Sequence, residues 1–436
     1  MISQIIFSIV LIAAIGLFTK NVRMIIRNIN LGKAFERNDK QGERWKTMFM
    51  VAIGQSKMVK RPFAGILHIL VYAGFVIINI EVLEILIDGV AGTHRILSFM
   101  GPFYTLLISS FEFLAIGVWV ACAIFLLRRN TKTVKRFWNR EITTWPRSDA
   151  NIILITEILL MTAFLTLDAS DTLIGRATGE AITGFPISNY LTTFLSGASL
   201  PTLMFIERFC WWFHIVGILA FLNYLPYSKH FHILLAFPNV YYSNLNPKGQ
   251  FTNLATVTRE IKLMLDPNAA ASAPAPDPNA VPERFGAKDV FDLSWKQLMD
   301  AYSCTECGRC TSSCPANQTG KLLSPRKIMM DTRDRLEEVG RNIDKNKGKF
   351  VDDSKSLLNN YILPEELWAC TSCNACVQEC PVNIDPLSII IDMRRYLVME
   401  QSAAPQELAL MLNNIENNGA PWQFPASDRY NWATSI

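Results

Sequence analysis

The chain has 436 residues, of which 50% are apolar and only 18% charged, against about 25% charged in an ordinary soluble domain. With a mean hydropathy of +0.19, this excludes a disordered or fibrous chain and argues against a uniformly soluble enzyme. The net charge of +4 is small, and no aromatic–basic interleaving is present, so nucleic acid is not an expected partner.

Residues 1–240 hold nearly all the long apolar runs, and residues 243–436 read as soluble protein. Five runs approach or reach spanning length: Ile2–Leu17, Phe63–Ile87, Phe103–Leu127, Ile152–Leu167 and Leu203–Leu225. A span needs about 20 apolar residues, so the flanks of the first and fourth must extend them. The first run lacks the basic leading segment of a signal peptide; Lys20, Arg23 and Arg27 follow it instead. Lysine and arginine crowd the connections between runs one and two and between runs three and four, whereas the other two connections hold only Arg95 and Arg176. The positive-inside rule then predicts an N-terminus outside, five crossings and a cytoplasmic C-terminal half, and membrane lipid becomes one surrounding partner.

Five histidines occur: His68, His94, His214, His230 and His232. An imidazole in an apolar helix needs a partner, and bis-histidine ligation of haem b would supply one. If the fifth span continues as one helix, His214 and His232 lie about 27 Å apart on one face, with Pro226 able to bend it. His230 then points about 160° away. His68 lies near the cytoplasmic end of the second span, at the depth of His232, which pairs these two around one haem b. His214 keeps three readings: a second haem with His94 folding back, a quinone contact, or a core histidine satisfied by a carbonyl. Glu81, Glu84, Glu112, Glu157 and Glu207 lie in or near spans and read either as a proton or substrate path or as solvated helix ends; Glu112 and Glu157 lie deepest.

Pro267–Pro282, PNAAASAPAPDPNAVP, cannot pack a core and reads as part of an extended linker over residues 241–285. Beyond it lie two complete copies of C-x2-C-x2-C-x3-C-P, Cys304, Cys307, Cys310, Cys314 and Cys370, Cys373, Cys376, Cys380. This is the bacterial dicluster ferredoxin run, in which the fourth cysteine reaches the other cluster. Cys304, Cys307, Cys310 and Cys380 are expected to hold one [4Fe–4S] cluster, and Cys370, Cys373, Cys376 and Cys314 the second. Zinc is the disfavoured alternative, since its sites commonly pair cysteines two by two. Cys122 and Cys210, alone in apolar runs, read as buried small residues. Cys370 follows Cys304 by 66 residues, and the insert carries a helical pattern starting at Ser324–Pro325, with another helix over Pro386–Glu400. The expected fold is all-α: a five-helix transmembrane bundle over 1–240, then a cytoplasmic α-helical dicluster ferredoxin domain over 286–400 and a partner-docking tail over 401–436. No flavin, nicotinamide or Walker motif is apparent.

The membrane half resembles the respiratory nitrate reductase gamma-type and heterodisulfide reductase E-type cytochrome b subunits, through His68 in GILHILVYAGF and the segment from His214 to His232. The other half is similar to heterodisulfide reductase C-type ferredoxins, through CTECGRCTSSCP and LWACTSCNACVQECPVNIDP. The resemblance implies an inner haem on His68 and His232. Its outer haem would use His214 and a histidine at position 78, where this chain has Ile78. It also implies a cytoplasmic redox partner with cysteine-rich CCG domains, absent from this chain and so on a separate chain, and electron exchange between menaquinone and donors such as electron-transfer flavoprotein. The reading is the electron-transfer subunit of a quinone oxidoreductase in a bacterial or archaeal cytoplasmic membrane. The alternatives are a redox sensor or assembly scaffold without quinone turnover, and a transporter using the intramembrane acids, which the lack of broken-helix repeats disfavours.

Overall fold

The computed structural model describes residues 1–179, 184–266, 268 and 284–434. It is all helical, as expected; among the described residues only two isolated β-bridges occur. Five helices are long and apolar enough to cross a membrane: α1 (Ile2–Ile29), α3 (Pro62–Ala91), α4 (Pro102–Asn130), α5 (Thr144–Thr178) and α7 (Leu200–Tyr224). Shorter helices of the same half are α2 (Gln41–Met48), α6 (Ser188–Leu195) and α8 (His232–Tyr241). The long helices form a closed ring in which α1 packs on α3, α3 on α4, α4 on α5, α5 on α7 and α7 back on α1. Glycine permits the closest approaches: a Cβ on Gly74 would lie 2.5 Å from Val118. The helices outrun the apolar runs that predict them, because Arg27 in α1 and Arg128 and Arg129 in α4 complete last turns where cations oppose the helix dipole.

His232 does not lie on a continuation of the fifth span, which corrects the expectation of a single helix from His214 to His232. α7 ends at Tyr224, the chain makes two short 3-10 turns, Leu225–Tyr227 and Lys229–Phe231, and α8 begins at His232. Pro226 cannot donate to the preceding turn, and Ser228 is extended. Asp149 of α5 fixes the break by accepting from the Tyr224 hydroxyl (2.5 Å), the Ser228 hydroxyl (2.7 Å) and the Lys229 backbone N–H (3.2 Å).

Part of the stretch 241–285, expected as an extended linker, is instead a short helix, α9 (Ala255–Leu265). The linker Pro267–Pro282 lies outside the described residues except for residue 268. After it come α10 (Trp295–Ser303), α11 (Pro325–Lys345) and α12 (Pro386–Met399). Ser294 and Gln297 form a capping box at the start of α10, and Ser324 caps α11 ahead of Pro325 at its first position. These helices do not hang from the bundle as a separate body. Ile25 and Ile29 of α1, Leu225 and Phe231 share one apolar core with Leu298, Leu336, Ile390 and Met393. Lys33 pairs with the segment before α10, donating to Leu293 (2.7 Å) and accepting from Trp295 (3.1 Å). Asn28 donates to the Tyr302 hydroxyl at 2.9 Å. Gly340 of α11 lets the Asn28 side chain approach closely, since a Cβ there would lie 2.5 Å from its amide.

A further polar tie is Arg326, whose guanidinium donates to Glu141 Oε1 (2.8 Å) and to the Arg136 carbonyl (2.8 Å) in the loop between α4 and α5. Its side chain is wholly buried, and breaking such a pair typically costs about 3–5 kcal/mol because the remaining charge stays buried. Arg326→Ala should therefore loosen the two halves and expose their junction to protease, while Arg259→Ala, which removes an exposed pair, should leave protection unchanged.

Candidate redox centre

The two cysteine motifs fold alike. Glu306 and Gly308 in the first, and Ser372 and Asn374 in the second, have positive φ of 55°, 69°, 56° and 60°, so both loops wind left-handed at the same two positions. Glycine takes such angles freely, and asparagine is the commonest substitute. At Gly308 the space also demands it, because a Cβ would lie 2.5 Å from the Arg326 guanidinium. The last cysteine of each motif lies near the other: Cys310 is within electrostatic reach of Cys304, Cys307, Cys380 and Cys376, and Cys376 of Cys370 and Cys314. The first group lines a cavity with Met329, Val382 and Ile384. Among the described residues no three His, Cys, Asp or Glu side chains converge where one ion could sit. Two copies of the four-cysteine run are the spacing of a dicluster ferredoxin. Cys122 and Cys210 are buried, away from these motifs on the chain.

The first group lies against the basic loops of the bundle. Lys57 donates to the Cys380 carbonyl at 3.1 Å and to Asn383 at 2.5 Å. Arg136 donates to the Cys307 carbonyl at 2.8 Å. Arg309, from the first motif, reaches back to the carbonyls of Lys57 (3.0 Å) and Met58 (3.3 Å). Arg61 pairs with Glu379 at 3.3 Å. Lys229 contacts Glu306 directly, and Arg333 donates to the same carboxylate at 2.7 Å. Burial alone would raise the Glu306 pKa, but these two cations outweigh it and hold it at about 2. The second group is turned away: Arg394 of its own domain donates to the Cys370 carbonyl, and Cys373 is exposed.

The ring centroids of His68 and His232 are 6.5 Å apart. The His232 Nδ1 faces the Lys229 carbonyl at 3.0 Å, which assigns it the proton and leaves Nε2 as the electron-pair donor. His68 Nδ1 is buried with no hydrogen-bond partner among the described residues. With nitrogen–metal bonds of about 2 Å on each side, one iron atom fits between rings at this separation. His230, set aside on helical geometry, also belongs to this cluster, its ring centroid 5.6 Å from His232 and 5.4 Å from Phe221. Burial lowers the pKa of His230 to about 3 and that of His232 below its usual value, which favours neutral rings. Arg309 lies within electrostatic reach of His68.

The structure does not bring His214 and His94 together. His214 is buried, its Nδ1 at 3.0 Å from the Leu160 carbonyl and its ring 5.9 Å from Phe164. His94 is on the surface, 4.0 Å from Asp171, and Asp171 is eleven residues from Leu160 on α5, about 16 Å along the helix. Ile78, at the position of the family's outer ligand, is packed with Ile108, Phe111, Leu160 and Phe164. Of the two deep acids, Glu112 caps a turn, accepting from the N–H groups of Ile187 (2.7 Å) and Ser188 (3.2 Å).

Residues 303–384 match the 4Fe-4S dicluster domain family. The chain is 28% identical, over 99% of its length and 60% of the relative's, to a probable iron-sulfur-binding oxidoreductase FadF of Bacillus subtilis. It is 26% identical, over 91% of its length and 54% of the relative's, to an EtfAB:quinone oxidoreductase of Syntrophomonas wolfei. A segment covering 28% of the chain is 33% identical to 60% of the C-type subunit of a ferredoxin/F(420)H(2)-dependent CoB-CoM heterodisulfide reductase of Methanosarcina acetivorans. The chain thus spans 54–60% of the two relatives that it matches along most of its own length. No solved structure matches it. The chain carries a 4Fe–4S dicluster domain joined to five membrane-compatible helices, and its relatives are iron–sulfur oxidoreductases and subunits of electron-transfer complexes.

Proposed function

We propose that the chain is the membrane-anchored electron-transfer subunit of a quinone oxidoreductase, carrying electrons between menaquinone, a haem b on His68 and His232, two [4Fe–4S] clusters and a cytoplasmic partner. The observation that carries the reading is proximity. His68 stands ten residues after Met58, and His232 three after Lys229; these same loops grip the first cysteine group through Arg309 and Glu306. When bound, the haem would supply a one-electron carrier at the end of the bundle that meets the ferredoxin. The chain's own residues hold the neutral imidazoles, fix the His232 tautomer and keep the first cysteine group against the bundle.

That arrangement gives an order. Cys304, Cys307, Cys310 and Cys380 would hold the cluster nearer the haem site, and Cys370, Cys373, Cys376 and Cys314, with exposed Cys373, would hold the cluster that faces the partner. The name of the Syntrophomonas relative includes EtfAB and a quinone, which supports a flavoprotein donor or a separate CCG-domain chain as that partner. The tail over 401–436 is the docking segment, with Trp422, Phe424 and Trp432 exposed; residues 435–436 lie outside the described residues. The positive bias of the basic loops supports a cytoplasmic ferredoxin and an outside N-terminus in a bacterial or archaeal inner membrane. His214 ties α5 to α7 through the Leu160 carbonyl.

A reduced-minus-oxidised spectrum of the purified protein should show a b-type haem band. His68→Ala and His232→Ala should each abolish it and His230→Ala should retain it; a band surviving in both of the first two variants refutes the ligand pair. A quinol analogue should reduce the clusters in membranes, and its failure would favour the sensor or scaffold reading. Electron paramagnetic resonance should separate the clusters: Cys380→Ser should stop haem–cluster electron exchange, while Cys314→Ser should preserve exchange with the remaining cluster.

A further inference from the structure

At the end of the bundle opposite the ferredoxin, the last turns of α3 and α5 and the first turns of α4 and α7 enclose carboxylates in unusual density. Most of them are structurally satisfied. Glu84 accepts from the Leu97 N–H (2.8 Å) and the Tyr104 hydroxyl (3.0 Å). Asp88 accepts from Thr93 (2.5 Å) and from the N–H groups of Arg95 (2.7 Å) and Ile96 (3.2 Å). Glu112 caps the turn described above. Glu207 on α7 lies 3.4 Å from its neighbour Arg208, whose side chain is mostly exposed.

Two acids differ. Glu81 Oε2 and Asp168 Oδ2 are buried and no donor among the described residues reaches them. Asp168 is wholly buried and Glu81 only 7% exposed, and the Glu81 charge acts on Asp168. A buried carboxylate oxygen without a donor is costly, and two carboxyls in one another's field lower that cost by holding a proton between them. The half-buried cation beside them, Arg95, contacts Asp168 at 3.4 Å and Asp171 at 2.7 Å. Asp168 and Asp171 share a helix face three residues apart. Asp171 in turn has the exposed His94 ring at 4.0 Å, which continues the series of ionisable groups from the interior to the surface.

We propose that this end of the bundle is a proton port, in which Glu81 and Asp168 hold a proton between them and exchange it with the solution opposite the ferredoxin by way of Asp171. The O–H bond of the carboxyl pair breaks, one forms on the Asp171 carboxylate, and the proton passes on to solvent; no electron moves. The port goes beyond the electron-transfer reading and would give charge-balancing protons a route separate from the electrons.

Infrared spectroscopy of the full-length protein in lipid vesicles tests it without any redox step. The wild type should keep the carbonyl band of a protonated carboxyl at neutral pH, and that band should shift on exchange into deuterium oxide. Glu81→Gln and Asp168→Asn should each lose it, Glu84→Gln should keep it, and Asp171→Asn should keep the band but slow its exchange. The proposal fails if the wild type shows no such band at neutral pH, a result that needs no variant to fold. It also fails if the band survives in both Glu81→Gln and Asp168→Asn, or if exchange in Asp171→Asn is as fast as in wild type.

Discussion

The structure depends on the grip of the bundle's basic loops on the backbone of the first cysteine motif. Lys57 and Arg136 donate to the carbonyls of Cys380 and Cys307, and Arg309 returns the contact to Lys57 and Met58. Bonds to carbonyls fix the position of the chain that carries the thiolates without competing for sulfur. They also set cations beside a group that would carry negative charge when loaded. Without them the motif would sit at the end of a chain segment of low complexity. With them it is held against the loops that bear His68 and His232.

The same loops have two roles that cannot be separated by composition. Lys57, Arg61 and Arg136 contribute to the positive bias that orients membrane helices, and each also makes a defined contact across the junction. Apolar packing reinforces this, because α1 runs past its apolar stretch and delivers Ile25 and Ile29 into the ferredoxin core. The ferredoxin therefore completes its own interior with bundle residues, and polar ties such as Asn28 to Tyr302 set its orientation.

Electrostatics divides the bundle into two ends of opposite character. At the ferredoxin end cations dominate, and buried carboxylates such as Glu306 and Asp149 are fully paired. At the far end acids dominate around Arg95. Between them lie close-packed apolar layers, in which His214 is satisfied by a carbonyl of the neighbouring helix.

The all-α class, the five long apolar helices and the dicluster motif are legible along the chain, because hydropathy period and cysteine spacing are local properties. His68 and His232 lie side by side, although the chain between His214 and His232 is not one continuous helix. The break at Pro226 and Ser228 needed the folded molecule, since it depends on Asp149 of another helix. Folding also brought His230 to His232 and kept His94 on the surface away from His214. It decided that the satisfied deep acid was Glu112, while Glu81 and Asp168 were left without donors. Partners for buried polar groups come from other helices, and no local pattern encodes which helix supplies them.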